Sequence, residues 1–154
     1  MNEYDIALAE LGLSIPEPTI PVANFVPYTV VGKLVYISGQ IPIQDGQITF
    51  IGKLGQEFSV EQGKDAARLC ALHALAMIRH ACDGDLDRVV RCVRLGGFIN
   101  STPDFTNQPE VMNGASDLLV SVFGERGCHA RAAVGVNSLP RNVAVEVDAI
   151  FEIM

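Results

Sequence analysis

Arg131 and Glu146 are the charged residues whose surroundings could support chemistry. Arg131 lies near the start of an apolar stretch at 129–136, and Glu146 lies inside a second apolar stretch at 143–153. An arginine can hold a carboxylate through two parallel hydrogen bonds, and a glutamate can accept a proton from water. These residue types therefore indicate a small-anion site beside a proton acceptor. A salt bridge between the two strands on an exposed face would explain them equally well.

Other polar residues are weaker candidates. The step Ser38-Gly39-Gln40 only faintly resembles an anion-binding loop, and the alternative is an ordinary turn that ends a strand. Asn113 and Gly114 fall inside a predicted helix although both are poor helix formers. That choice indicates either a use for Asn113 or a tolerated helix defect.

Histidine and cysteine spacing does not predict a metal or nucleophile site. His73 and His80 lie seven residues apart on one predicted helix with no carboxylate at ligand spacing, so we expect both at a surface or interface. Cys128 and His129 are neighbours, and neighbours in a strand point to opposite faces, which argues against a thiolate–imidazole pair. The four cysteines show no CxxC spacing, and we expect reduced thiols in a cytoplasmic protein.

Composition bounds the class of protein. The 154 residues are 49% hydrophobic and 19% charged, with a net charge of −7. This predicts one globular domain over residues 1–154, with 1–23 as an N-terminal helical extension. The acidic balance argues against nucleic-acid binding, and no stretch approaches the roughly 18 apolar residues that span a bilayer. A low charged fraction also favours an oligomer.

Hydrophobic periodicity predicts the order β-β-α-β-α-β-β after a short helix at 2–11. A hairpin turns at Gly32-Lys33, a capping box at Ser59 and Gln62 starts the first long helix, and Gly124 ends the second. Gly96-Gly97 indicates a bulge or a close backbone approach. The fold class is therefore α+β, a mixed sheet with two helices on one face. The predicted ranges are an extended connector through 16–21, a short strand at 47–50, a helix at 60–81, a strand at 88–99, and two paired terminal strands joined by a turn at 137–142.

Four short motifs occur along the chain: Pro27-Tyr28, SGQIP at 38–42, Asp104-Phe105, and the set HARAAV, LP and VEV between His129 and Val147. Together they resemble the RidA/YjgF family of reactive-intermediate deaminases, also called the L-PSP endoribonuclease family, over residues 24–151. The resemblance implies a chorismate-mutase-like fold and a homotrimer with a central β-barrel. Ligand sites would lie in clefts between subunits.

The same resemblance implies roles for individual residues. Arg131 would grip the substrate carboxylate, and Glu146 would hold or activate the attacking water. Asn113 matches a cleft asparagine if about four residues are inserted near 107–110 of this chain. Ala133 stands where archetypal members carry a cysteine, so no thiol is available there. The other implied substrate-binding residues are Tyr28, Ser38, Gly39 and Ala133.

The implied activity is hydrolytic deamination of small 2-imino or enamine acids to 2-keto acids and ammonia, with a small carboxylate as ligand. It requires neither a metal nor an organic cofactor. One alternative is a non-enzymatic module that binds small carboxylates in the same cleft. Another is an L-PSP-type endoribonuclease or translation inhibitor, which the negative charge and the lack of a suitable histidine pair disfavour.

Overall fold

The computed structural model describes residues 1–18 and 24–154. The last part of the predicted N-terminal extension, 19–23, including Pro21 of the predicted connector, lies outside the described residues. The helices are α1 (Glu3–Glu10), α2 (Val60–Ala81) and α3 (Gln108–Phe123). The strands are β1 (Tyr28–Val31), β2 (Leu34–Gln40), β3 (Ile43–Gln44), β4 (Gln47–Ile48), β5 (Val89–Asn100), β6 (Ala130–Val136) and β7 (Val145–Ile153).

The main sheet has five strands in the order β1-β2-β7-β5-β6. All neighbours are antiparallel except β5 and β6, which are parallel and connected through α3. The predicted mixed α+β architecture is therefore confirmed. The predicted pairing of the two terminal strands is wrong, because β5 lies between β6 and β7. A parallel partner needs a long crossover, and α3 supplies one between β5 and β6.

Both long helices pack on one face of this sheet. Along β7 the burial alternates, with Val145, Val147, Ala149 and Phe151 buried and the residues between them partly exposed. Helix α2 contacts β2 and β7, α3 contacts β5 and β6, and the two helices contact each other. The other face carries Glu146, Asp148 and Ile150 and has no second layer among the described residues.

The residues at the ends of α2 and α3 explain where these helices begin and end. Ser59 accepts from the Gln62 N–H while the Gln62 side chain accepts from the Ser59 N–H, so the predicted capping box is present. Helix α3 begins with Pro109 in its first turn and ends at Gly124, whose φ of 62° suits glycine. Gly114 lets α3 approach α2 closely, because a Cβ there would lie 2.1 Å from the Lys64 carbonyl oxygen. The packing therefore explains the glycine that looked like a helix defect.

The strand predictions hold with local changes. The hairpin turn at Gly32-Lys33 is confirmed, but Ser38-Gly39-Gln40 forms the last three residues of β2 and is not a turn. Strand β2 continues through Gln40, with an irregular register against β7 between Ile37 and Gln40. Gly97 is the predicted close approach, since a Cβ there would lie 2.3 Å from the Met112 sulfur. The irregularities of β5 instead lie between Val89 and Arg94.

Helix α1 docks on α3. Tyr4 and Leu8 are its buried residues, and the Tyr4 hydroxyl donates to Asp87 at 2.7 Å. Arg126 donates to the Tyr4 hydroxyl at 3.0 Å and lies over the Tyr4 and Phe123 rings. Among the described residues, no helix combines the length and apolar character that crossing a bilayer requires.

Candidate functional site

Arg131 lies on the edge strand β6, on the face that α3 covers. It pairs with the buried Leu95 of β5, so its side chain points toward the helix layer. Its Nη1 donates to Ser116 Oγ at 3.0 Å, and its Nη2 donates to the Pro109 carbonyl at 3.1 Å. Both acceptors are neutral, and Arg131 takes part in none of the ion pairs between described residues. The guanidinium is thus oriented while its charge is left for another partner.

Asn113 and Ala133 lie on the same surfaces of α3 and β6 as the contacts of Arg131. Asn113 is four residues after Pro109 and three before Ser116, so it shares the α3 face that contacts Arg131. Ala133 is two residues after Arg131 on β6 and therefore points to the same face of the sheet. We call Arg131, Asn113 and Ala133 the arginine pole.

Glu146 lies on the opposite face of the sheet, beside Gly39. A Cβ at Gly39 would lie 2.2 Å from Glu146 Oε2, so only glycine leaves room for the carboxylate there. Burial raises the pKa of Glu146, and the negative charge of Asp148 raises it further. A carboxylate that binds a proton more readily is a better general base near neutral pH. Glu146 and Gly39 form what we call the glutamate pole.

Asp148 was missed by sequence reasoning. Its carboxylate lies against Gly96 in the same way as the Glu146 carboxylate lies against Gly39. A Cβ at Gly96 would lie 2.2 Å from Asp148 Oδ1. Burial raises its pKa, while Arg94, 3.9 Å away, and a backbone hydrogen bond at Gly96 lower it. The two-residue spacing of Glu146 and Asp148 in an alternating strand was the available signal, because it puts both carboxylates on one face.

Tyr28 and Ser38 line one shallow cavity of about 240 Å³. The Tyr28 hydroxyl lies 2.7 Å from Nδ1 of His80 on α2, and burial, then Asp83 and Cys82, raise the pKa of this tyrosine. The Ser38 hydroxyl donates to the Pro27 carbonyl at 2.9 Å and is therefore already engaged.

One chain does not bring the two poles together. Arg131 pairs with Leu95 and Glu146 pairs with Phe98, on opposite sides of β5. The strands β6 and β7 are thus two strand spacings apart, about 10 Å, and the side chains point to opposite faces. The alternative of a cross-strand salt bridge between Arg131 and Glu146 is wrong for this reason.

His73 and most of the cysteines are buried. His73 is 4% exposed and its Nε2 lies 2.8 Å from the Ile43 carbonyl, so the expectation of a surface or interface position is wrong for His73. His80 is exposed, as expected. Burial raises the pKa of the Cys92 thiol to about 12 and that of Cys70 well above its ordinary value. Thiols that stay protonated are poor nucleophiles. Cys128 is exposed and free.

Ser116 and His129 are further residues that sequence reasoning did not place here. His129 Nε2 lies 2.8 Å from Ser116 Oγ, and His129 Nδ1 lies 2.6 Å from the Gly127 carbonyl. His129 directly precedes β6 and lies two residues before Arg131, a spacing in extended backbone that puts both side chains on one side. The position of α3 above that face was needed to find Ser116.

Known proteins resemble this chain over nearly its whole length. A family model described as "YjgF/chorismate mutase-like, putative endoribonuclease" matches residues 5–153. Protein TCP17 of Trypanosoma cruzi is 48% identical over 147 residues, 95% of this chain and 91% of that protein. Protein Atu1372 of Agrobacterium tumefaciens has a crystal structure with a TM-score of 0.95 and 45% identity, covering 99% of this chain and 93% of that one.

A more distant structure carries a functional family name. RidA from an Antarctic Psychrobacter species aligns with a TM-score of 0.58 and 26% identity, over 91% of this chain and 96% of that one. The shared sheet and helix arrangement, the two poles and the family match lead to one conclusion: this chain belongs to the YjgF/RidA family, the family also known for L-PSP endoribonucleases.

Proposed function

We propose that this protein hydrolyses small 2-imino acids to 2-keto acids and ammonia. The observation that carries the proposal is the guanidinium of Arg131, which two neutral acceptors orient and which no carboxylate of the described residues neutralises. Such a cation is prepared to bind a ligand carboxylate through two hydrogen bonds. The choice of substrate class rests on the resemblance of the chain's motifs to the RidA/YjgF family of reactive-intermediate deaminases.

Glu146 supplies the second requirement, a proton acceptor for water. In the first step the Glu146 carboxylate takes a proton from a water molecule as the water oxygen bonds to the imine carbon. The substrate is the protonated imine, so its C=N electron pair moves to nitrogen to leave a neutral amino group, and a tetrahedral carbinolamine forms. The raised pKa of Glu146 favours this transfer.

The second step breaks the C–N bond. Glu146 returns its proton to the carbinolamine nitrogen, and the carboxylate then takes the hydroxyl proton as the C=O double bond of the keto acid forms and ammonia leaves. The ammonia takes this proton from Glu146 and becomes ammonium, which restores the carboxylate. Holding the substrate carboxylate on Arg131 fixes the imine carbon relative to the water, which makes attack effectively intramolecular. The missing side chain at Gly39 lets the Glu146 carboxylate lie directly against the backbone of β2.

The reaction needs Arg131 and Glu146 to face one ligand, and we place that ligand between subunits of a homotrimer. Opposite faces of one sheet cannot contact the same small molecule. The uncovered sheet face with Glu146, and the edge strand with Arg131, are both free to meet another copy. Three sheets closing into a central barrel would cover that face and bring one subunit's Arg131 toward the next subunit's Glu146.

A coupled assay tests the proposed reaction. A serine or threonine dehydratase generates the imino acid, and its decay is followed with and without this protein. We expect wild type to accelerate decay and Arg131→Ala to lose at least about 100-fold in kcat/KM, because the carboxylate loses its charged bidentate partner. Wild type no faster than buffer, or an undiminished Arg131→Ala variant, would refute the mechanism.

The same Arg131 geometry also favours a second candidate, a module that binds small carboxylates without turning them over. Calorimetry with 2-oxobutyrate separates the two. Binding that disappears in Arg131→Ala, together with no acceleration of imine decay, selects the binding module. Incubation of the purified protein with RNA completes the comparison, and cleavage that persists in Arg131→Ala would point to the endoribonuclease alternative.

A further inference from the structure

We infer that Ser116 and His129 are positioning residues that hold the Arg131 guanidinium in its carboxylate-binding orientation. The inference rests on the proposed use of Arg131 and extends it to residues that touch no substrate themselves. Three side chains and one backbone carbonyl form a continuous hydrogen-bonded chain from Gly127 through His129 and Ser116 to Arg131.

The direction of each hydrogen bond in this chain follows from chemistry. A carbonyl oxygen can only accept, so His129 Nδ1, 2.6 Å from the Gly127 oxygen, carries the ring proton. In the neutral ring Nε2 is then an acceptor, and the Ser116 hydroxyl donates to it at 2.8 Å. The Ser116 hydrogen therefore points to His129, and its lone pairs are available to Arg131.

This arrangement leaves Arg131 its carboxylate-binding capacity. Ser116 accepts one N–H from Nη1 and the Pro109 carbonyl accepts one from Nη2. Each terminal nitrogen of a guanidinium carries two hydrogens, so each retains one for a ligand. Because the Ser116 hydroxyl hydrogen points to His129, only the oxygen lone pairs of Ser116 face the guanidinium.

This series of hydrogen bonds is anchored to the backbone of secondary-structure elements at both of its ends. Gly127 belongs to the one-turn 3₁₀ helix Gly124–Gly127, and the neighbouring Arg126 donates to the Val89 carbonyl of β5. At the other end Pro109 lies in the first turn of α3. Side chains held by such outer partners keep their orientation when a ligand arrives, which is what a positioning residue contributes.

The test measures 2-oxobutyrate affinity by calorimetry, and KM and kcat in the coupled assay, for five variants. Ser116→Ala removes the acceptor, Ser116→Thr keeps it, and His129→Leu removes the partner that turns the hydroxyl. A double variant combines Ser116→Ala with His129→Leu, and Ser121→Ala is the control. Ser121 is exposed on the same helix and contacts neither pole.

We expect Ser116→Ala to weaken 2-oxobutyrate binding about tenfold, because a hydrogen bond to a charged group is lost while the Pro109 contact remains. KM rises by a similar factor and kcat changes by less than about threefold. Ser116→Thr and Ser121→Ala stay near wild type. His129→Leu resembles Ser116→Ala, and the double variant is no worse than either, since all act through one chain of contacts.

Three results would overturn the inference. Wild-type affinity in Ser116→Ala, with wild type itself binding and active, would refute the positioning role and leave the proposed function standing. Covalent labelling of Ser116 by a fluorophosphonate would make it a nucleophile instead. No binding and no catalysis by wild type would refute the proposed function, and this inference with it.

Discussion

Glu146 and Asp148 lie on the uncovered face of the sheet, two residues apart on β7, and their negative charges repel each other. The pH dependence of the proposed reaction therefore also depends on Asp148, which takes no part in the reaction. Burial, and then Asp148, raise the pKa of Glu146. A general base must be ionised, so activity rises with pH as Glu146 loses its proton. This acidic limb therefore lies above the range of an ordinary glutamate.

Asp148→Asn should move that limb to lower pH. The substitution removes the smaller of the two causes, so the pKa of Glu146 falls, and burial still keeps the limb above the ordinary range. The measurement is the pH profile of kcat/KM. Glu152→Gln, which removes a charge from the same face of β7 farther along the strand, is the matched control and should leave the profile in place. An unmoved profile in Asp148→Asn would show that Glu146 does not set it.

At this scale the sequence predicted candidate residues better than it predicted their contacts. Arg131 stands out as the one charged residue of β6, whereas Glu146 shares β7 with Asp148 and Glu152. Ser116 does not stand out, because a serine in a helix is common and its partner His129 is reached only through tertiary packing. Contacts that join separate elements carry no local signal, which is why the support of Arg131 emerged only with the structure.

Among the elements, α2 and α3 depend on a glycine for their close packing. A Cβ at Gly114 would lie 2.1 Å from the Lys64 carbonyl oxygen, and backbone cannot move aside as a flexible side chain can. Helix propensity alone would make Gly114→Ala stabilising by up to about 1 kcal/mol. Helix propensity would therefore raise the free energy of unfolding and the clash would lower it, and the effect of the clash is the larger.

We expect Gly114→Ala to lower the free energy of unfolding by about 2 kcal/mol. Urea unfolding followed by circular dichroism gives the value. Ser121→Ala, exposed on the same helix, should stay within about 0.5 kcal/mol of wild type. If Gly114→Ala were more stable than wild type, the close approach of the two helices would be wrong.

Most elements could be predicted because their signals are local. The capping box at Ser59 and Gln62, the turn at Gly32-Lys33 and the alternation of β7 each lie within a few residues. Strand order could not be predicted in the same way. Two apolar strands joined by a short connection resemble a hairpin, and only the packing of α3 puts β6 beside β5.

For the whole molecule, the separation of the two poles makes a prediction about subunits. In a homotrimer whose sites take Arg131 from one subunit and Glu146 from the next, Arg131→Ala and Glu146→Gln damage different halves of each site. Trimers that contain both variants, selected through two different affinity tags, should have one intact site in three. We expect about one third of wild-type activity.

The controls are the two separate variants and their mixture without subunit exchange, which should all be inactive. Mixed trimers without recovered activity, from variants that fold and assemble like wild type, would place both residues of a site in one chain. Sedimentation of the wild type reports the number of subunits independently. Recovery in a particle of another size would contradict the trimer while keeping the shared site.

The position of β7 between β2 and β5 has a consequence for how quickly the chain folds. Leu34 pairs with Glu152, so the hairpin of β1 and β2 finds its neighbour almost at the other end of the sequence. An isolated two-stranded hairpin is marginal in water, and pairings this distant are reached slowly. Until β7 inserts, the unpaired N–H and C=O groups along the edges of β2 and β5 can pair with the wrong strand. Refolding at low protein concentration is therefore the condition under which this sheet should form with the highest yield.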